Sequence, residues 1–461
     1  MKASIGAAAV LFALSGCATT RLDRAFDGLR RDLGPRTGAH LYWDRRGAQD
    51  REMQDRIRKA LGSELSADTA VEIALVRNKS LQATYERLGI AQADLVDAGK
   101  AANPRLGAGI LFPSRAGVGP STSFSITESF LDLFLIPLRK RLASQELARE
   151  TATVGSEVID LVAQVRSGWY EAVADEQRVA MRTEVRDALQ ATAELIQEQD
   201  KAGNVSEYDV ALEIDAYQQA RLDLARAERD AFRSREQLVR LLGLWGKEIA
   251  IKLPAKLPEI PAADPPLEHL ESLAIARRLD LAAARSNVAL FAEASRLTKT
   301  WRYLGGLDLG VEGGNESLEN SRVIGPRAEF VLPIFNQGQG AVARALSELR
   351  RAEEELEAKS VDARSEVRLE RDRLTRARSS VAYGQKVMIP LRQRIVGLAQ
   401  QRYNGMYLGV FELVRARQNE IDAVQEYIDA SRDYWMARAD LERAVGGSFD
   451  EKSETKEGTS K

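Results

Sequence analysis

The chain has one cysteine, two histidines and few aromatic residues, which make up 6% of its 461 positions. One thiol closes no internal disulfide, and with two histidines it is too little for a structural zinc site. An excess of charge of one sign is also missing. Lys+Arg number 66 against 68 Asp+Glu, a net charge of −2, so there is no basic face for nucleic acid. After the N-terminal segment no run of about 18 or more apolar residues occurs, which excludes a membrane-spanning helix. There is no Ser/His/Asp order, phosphate-cradling loop or metal-spaced Cys/His set. No enzyme, cofactor or metal site is therefore expected, and His40 and His269 read as surface or packing residues.

What is present points to helices. Charged residues are 29% and hydrophobic ones 44%, enough for a folded core, and Ala, Leu, Glu, Arg and Gln favour long helices with coiled-coil packing. The lone cysteine has a position that explains it. Lys2 starts a short basic end, Ile5 to Leu14 is apolar and too short to cross a bilayer, and Leu14-Ser15-Gly16-Cys17 follows. Small residues before a cysteine at this point resemble the lipobox of bacterial lipoproteins. The resemblance implies a signal peptide over 1–16, a lipid-bearing (palmitate-carrying) Cys17 and a lipidated segment over 17–64. Ala18 rather than Asp after the cysteine implies sorting to the outer membrane.

The rest of the chain repeats with a period near 200 residues. Ala74-Leu75-Val76-Arg77-Asn78-Lys79-Ser80-Leu81 is similar to Ala274-Ile275-Ala276-Arg277-Arg278-Leu279-Asp280-Leu281. Each opens a helical stretch that runs into a Gly-rich region of period two and then a long helical stretch. Each long stretch is broken once, at Ala202-Gly203-Asn204 and at Asn404-Gly405-Met406, and each half ends in Leu242-Gly243 or Val445-Gly446. The first repeat is placed at 65–246 (strand pair 104–130, tip near 203) and the second at 267–447 (strand pair 304–335, tip near 405). A Pro-rich extended linker at 247–266 separates them, and a polar tail over 448–461 lacks the apolar content to fold.

Apolar residues at Val158, Leu161, Val162, Val165, Trp169, Ala172 and Val173 form one helical stripe. Ile395, Leu398, Ala399, Val414, Ile421, Val424 and Ile428 continue the pattern in the second half. About 60 helical residues before each break would extend ~90 Å, so such arms must pack side by side.

Four short segments alternate. Leu106, Ala108, Ile110 and Phe112 interleave with Arg105, Gly107 and Gly109, and Phe124 and Ile126 with Ser123, Ser125 and Thr127. Leu307, Leu309 and Val311 interleave with Gly306, Asp308, Gly310 and Glu312, and Ala328, Phe330 and Leu332 with Arg327, Glu329 and Val331. A Gly-Asn-rich loop is expected from Gly313 to Arg322. One apolar face and one small or charged face, over about nine residues, is the pattern of a membrane strand beside a wet lumen. Trp301 and Tyr303 precede the third segment, where an interfacial aromatic belt belongs. Glu128 falls at the membrane edge, and Leu131 to Pro137 has no counterpart in the second half. Four strands cannot seal a barrel, because an open edge in lipid leaves backbone groups unpaired. Several protomers must contribute; two would supply eight strands and three would supply twelve.

This order resembles the TolC-like outer membrane factor family (outer membrane efflux proteins) of lipoprotein type, over residues 65 to 447. Leu332-Pro333-Ile334-Phe335-Asn336-Gln337-Gly338 resembles its strand-to-helix junction, and Ala202-Gly203-Asn204-Val205-Ser206-Glu207-Tyr208-Asp209-Val210 and Asn404 to Leu413 resemble its helical tips. The first half departs at its junction, with Pro137-Leu138-Arg139-Lys140. The second tip carries one residue more between glycine and acid than the first. The resemblance implies a mainly α fold of long helical hairpins with four transmembrane strands per protomer, built as two tandem repeats. It implies a homotrimer in outer-membrane lipid with a periplasmic helical extension, a passive duct served by a periplasmic adaptor and an inner-membrane pump. Candidate adaptor contacts are Gly203, Val205, Ser206, Gly405, Gly409 and Val410, with Gly203 and Gly405 also suited to tight turns. Asp200, Asp209 and Glu412 are candidate carboxylates of a pore-mouth ring. Cargo is left open among metals, drugs and proteins, although Arg402-Tyr403-Asn404-Gly405-Met406 resembles members tied to metal resistance. The competing expectation is a periplasmic coiled-coil scaffold without a pore.

Overall fold

The computed structural model describes residues 24–45, 48–112, 114, 119–301, 307–316, 321–330 and 332–448. The signal peptide, Cys17, Tyr303 and the polar tail after Ser448 lie outside them. Helices α1 (Arg24–Thr37) and α2 (Ala48–Leu61) precede the repeats. The first half runs α3 (Ala67–Arg77), α4 (Lys79–Ala98), β1 (Arg105–Leu111), β2 (Ser121–Ser129), α5 (Phe130–Lys201) and α6 (Glu207–Leu242). The second runs α7 (Leu270–Arg277), α8 (Leu279–Trp301), β3 (Leu307–Glu316), β4 (Ser321–Phe330), α9 (Gln339–Tyr383), a π-turn at Gly384–Met388, α10 (Ile389–Asn404) and α11 (Val410–Val445). The halves thus share one element order, and none of the described helices is long and apolar enough to cross a membrane.

The chain divides into two compact units. Among the described residues the first comprises 24–29, 85–154 and 280–359, and the second 30–84, 155–279 and 360–448. The first holds the sheet, a single antiparallel one in the order β1-β2-β3-β4. Two expectations are corrected here. The loop expected from Gly313 to Arg322 is largely strand: Gly313 pairs with Ile324, Gly314 with Val323 and Asn315 with Arg322. Glycine is suited to this stretch because a Cβ on Gly313 would meet the Phe124 ring and one on Gly314 the Thr122 carbonyl. Leu332 lies beyond the end of β4. Leu131 to Pro137, the stretch without a counterpart in the second half, lies in the first turns of α5, which starts directly after β2.

In the second unit the helical stripe is the core. Val158, Leu161, Val162, Val165, Trp169, Ala172 and Val173 are all buried. Val185, Leu189 and Ala220 pack with Val414 and Ile421, joining the two hairpins, and Tyr434, Leu441, Ala444 and Val445 pack with Leu270, Ala274, Val367 and Leu374. Ile395 and Leu398 differ from expectation. They are exposed, because no described residue covers that side of α10.

The repeat is visible as a repeated contact. Gly243 ends α6 and Gly446 ends α11, both in the left-handed conformation (φ +69 and φ +90) that favours glycine at this position. Each lies against the break between two helices of its own half, Gly243 on Arg77 and Asn78, Gly446 on Arg277 and Arg278. Asn78 Nδ2 donates to the Leu241 carbonyl (2.9 Å) and Arg278 donates to the Ala444 carbonyl (3.1 Å). Each of these carbonyls lies in the last turn of its helix, two residues before the glycine, where no helical donor remains. The Pro-rich segment begins in a 3-10 turn (Gly246–Ile249), forms no helix or strand over 253–269, and is pinned. Arg378 donates to the Pro261 and Ala262 carbonyls (2.7 Å each) and pairs with Asp264 (2.7 Å), Tyr434 donates to Asp264 (2.6 Å), and Trp435 donates to the Pro258 carbonyl (3.1 Å).

A Cβ at Gly243 would sit 2.5 Å from the Arg77 carbonyl oxygen. Gly243→Ala should therefore cost about 2 kcal/mol from the backbone conformation alone, read as a lower midpoint of thermal unfolding, while Gly340→Ala, with nothing within 4 Å, should leave it unchanged. Equal midpoints for the two variants would contradict this role for the capping glycine.

Candidate functional site

Strand register decides which residues share a face. Ala108 pairs with Phe124, Phe124 with Gly313 and Gly313 with Ile324; the next like-facing row is Leu106, Ile126, Val311 and Pro326. These rows, with Leu309 and Ala328, make one face almost wholly apolar. Its polar members fall at the ends, Thr122, Asn315 and Arg322 at the hairpin end and Glu128, paired with Leu309, at the other. The apolar side chains are exposed: Leu106 by 78%, Ile126 by 51% and Ile324 by 73%. A soluble sheet would bury such a face against a second layer.

The opposite face carries Gly107, Gly109, Ser121, Ser123, Ser125, Thr127, Asp308, Gly310, Glu312, Arg327 and Glu329, with Leu111 and Val323 as its apolar exceptions. The Ser125 and Ser123 hydroxyls occupy the space where Cβ atoms of Gly107 and Gly109 would stand, so small residues face hydroxyls across β1 and β2. Charges gather on β3 and β4. Arg327 lies 3.3 Å from both Glu312 and Glu329, and Arg105 lies 3.8 Å from Asp308. These are exposed, solvent-screened pairs that favour hydration of this face more than they stabilise the sheet. Among the described residues β1 and β4 each pair on one side only, leaving two open edges.

In the second unit the hairpin tips are built by caps. Gly203 follows α5 with φ +70, the left-handed conformation expected of it. Ser206 caps α6: its hydroxyl accepts from the Asp209 N–H (3.2 Å) and donates to the Asp209 carboxylate (2.7 Å), satisfying one of the free N–H groups of the helix start. Val205 is half-buried and Asp200 exposed. At the second tip Gly405 lies in the turn that follows α10. Its φ is −85, and the left-handed residue is Met406 at φ +60. Gly405 makes room instead, since a Cβ there would lie 2.9 Å from the Tyr407 ring. Gly409 caps α11 through its backbone and Val410 begins it. The Glu412 carboxylate lies where a Gly409 Cβ would stand, so glycine lets Glu412 fold back over the helix start. Asp209 and Glu412 thus both sit in the first turn of a helix, where the dipole favours an anion.

This is the fold that comparison with known structures finds. The chain is similar to the CmeC outer membrane channel of Campylobacter jejuni (TM-score 0.73, 16% identity, 84% of this chain and 89% of that one). It is similar to the MtrE outer membrane channel of Neisseria gonorrhoeae (TM-score 0.70, 19% identity, 83% and 89%). The chain has the fold of a TolC-like outer membrane factor. In sequence it is 25% identical over 403 residues to the cobalt-zinc-cadmium resistance protein CzcC of Cupriavidus metallidurans, covering 85% of this chain and 89% of that protein. No protein-family model matches the chain.

Three tip residues went unselected in the sequence: Tyr208, Met406 and Tyr407 are exposed by 71%, 94% and 86%. Two aromatic rings and a thioether beside turns are poor solvent-facing choices, and that mismatch was the available signal. Glu213 was missed as well. It is buried in the second turn of α6, its Oε2 has no hydrogen-bond partner, and burial holds its carboxyl above the usual carboxylate range. A raised pKa means that its stabilising, protonated form is lost as pH rises. Glu213→Gln should accordingly unfold at higher temperature than the wild type near neutral pH, and the advantage should vanish below about pH 4.5. A variant less stable than the wild type at neutral pH would show that the ionised carboxylate has a partner.

Proposed function

We propose that the chain is the outer-membrane channel of a tripartite efflux system, a passive exit duct fed by a periplasmic adaptor and an inner-membrane pump. The observation that carries this is the sheet, with an apolar face exposed, the other face hydroxylic and charged, and both edges unpaired. Lipid would cover the first face, water the second, and neighbouring copies the edges. Three protomers, as in the family the chain resembles, make twelve strands, above the roughly eight of the smallest membrane barrels. The exposed Ile395 and Leu398 supply apolar surface for contacts between copies. A lipid on Cys17 anchors the chain to the outer membrane.

The tips meet the adaptor through Gly203, Val205, Ser206, Gly405, Gly409 and Val410, with Tyr208, Met406 and Tyr407 as apolar contacts. Aromatic and methionine side chains are the kinds enriched where protein surfaces dock. Asp200, Asp209 and Glu412, repeated around the trimer, form the acidic mouth. CzcC carries a cobalt-zinc-cadmium resistance name, and divalent metal cations are the cargo we favour. The chain is a conduit without catalytic activity. A periplasmic scaffold, the competing function, would not need the exposed apolar face.

The test is direct. The purified full-length chain should fractionate with the outer membrane, run as a trimer and conduct in planar bilayers, and its deletion should lower tolerance to cobalt, zinc and cadmium. A soluble monomer without conductance would favour the scaffold. A conducting trimer whose deletion leaves tolerance to all three metals unchanged would remove the metal cargo alone.

A further inference from the structure

The first unit contains a groove that neither the duct nor the tips require. It has a volume of about 430 Å³ and is lined by Leu135, Leu138, Leu297, Trp301 and Ala341, with Arg139 among them. Its place follows from the topology. Ser129 of β2 pairs with Asp308 of β3, and Leu307 pairs with Phe330 at the end of β4, so these three strand ends share one border of the sheet. α5 leaves that border directly, α8 ends just before β3, and α9 begins shortly after β4. Leu138, the ninth residue of α5, is ~12 Å along the helix from its start. The groove therefore lies beside the border of the sheet that these strand ends share. Phe134 on α5 and Leu332, Ile334 and Phe335 between β4 and α9 are exposed, Phe335 by 96%.

Arg139 carries the chemical information. One guanidinium nitrogen donates to the Asp132 carbonyl (3.0 Å). Its Nε–H is buried and has no acceptor, and no carboxylate is within ion-pair distance among the described residues. A buried donor left unmade is costly, and a charged donor beside an apolar groove suits a ligand with an anionic head and a hydrocarbon body. Phosphate fits the guanidinium fork through two charge-assisted hydrogen bonds. Trp301, half-buried at the groove wall, is the side chain that favours the headgroup level of a bilayer.

We propose that this groove is a phospholipid site. It seats an acyl chain of a glycerophospholipid of the periplasmic leaflet against Leu135, Leu138, Leu297 and Ala341, with the lipid phosphate on Arg139. The segment that makes it, Leu131 to Lys140, includes the insertion and the departing junction that set the first half apart from the second. The site rests on the proposal that the apolar face of the sheet meets lipid, and it adds a fixed lipid at one place on that boundary.

The test uses the full-length protein in vesicles containing phosphatidylglycerol with a photoactivatable diazirine in its acyl chain, followed by mapping of the labelled peptides. The wild type should be labelled on the β2 peptide with Phe124 and Ile126, and more strongly on the Leu135–Leu138 and Leu297–Trp301 peptides. Ala341→Trp, which fills the groove, should abolish groove labelling and spare β2. Arg139→Gln should lower groove labelling by at least about ten-fold, the scale of a lost charge-assisted hydrogen bond, again sparing β2. If Ala341→Trp fails to enter membranes, Arg139→Gln decides alone. Groove labelling no stronger than that of β2, or indifferent to Arg139→Gln, overturns the site and leaves the membrane sheet standing. Cross-links from groove peptides to a second copy of the chain would also overturn it. An unlabelled β2 would fail both proposals together.

Discussion

Backbone amides and carbonyls along β1 and β4 need partners, and four strands cannot supply them. In water an open edge is solvated. Beside hydrocarbon it leaves each unpaired group at a cost of several kcal/mol. In the channel proposed above, the exposed apolar face of this sheet meets lipid, and the two edges open among the described residues call for further copies of the chain. Lipid contact and oligomerisation are thus consequences of a single arrangement. The hydrated face then has to line an interior, which is why a channel, and not merely a membrane anchor, follows from the register.

The helical unit answers a different requirement. Long helices built from Ala, Leu, Glu and Arg are held by narrow apolar stripes, and such stripes leave sides uncovered, as at Ile395 and Leu398. Specific polar contacts fix the hairpins against each other. Arg178 bridges Asp175 and Asp429 (2.5 Å each), and Arg443 and Arg278 share Glu366 (2.5 Å each). Burial alone would raise the Glu366 carboxyl, but the two guanidiniums outweigh it and hold it below the usual range. The contacts of Gly243 and Gly446 at equivalent breaks show the same device used twice.

Much of this was legible in the sequence, because periodicity records burial. The stripe from Val158 to Val173 is buried throughout, and the alternation around Phe124 and Ile126 gives the face that the register confirms. The failures have physical causes. Gly313 and Gly314 read as loop because strand propensity counts side chains, whereas here the partner strand's Phe124 ring and Thr122 carbonyl use the missing ones. At the second tip the left-handed residue is Met406, beside a glycine whose Cβ would meet the Tyr407 ring. The groove beside Arg139 could not be read at all, since its lining is drawn from three helices between Leu135 and Ala341, and a buried Nε without an acceptor has no signature in sequence.

The central claim is that neighbouring residues on one strand face different solvents. Single cysteines at positions 123 to 127, in protein whose native Cys17 is blocked, would carry a fluorophore in vesicles. Quenching by brominated acyl chains should be strong at 124 and 126 and weak at 123, 125 and 127, with the reverse order for a water-soluble quencher. Uniform quenching along the strand, or strong aqueous quenching at 124 and 126, would contradict the account.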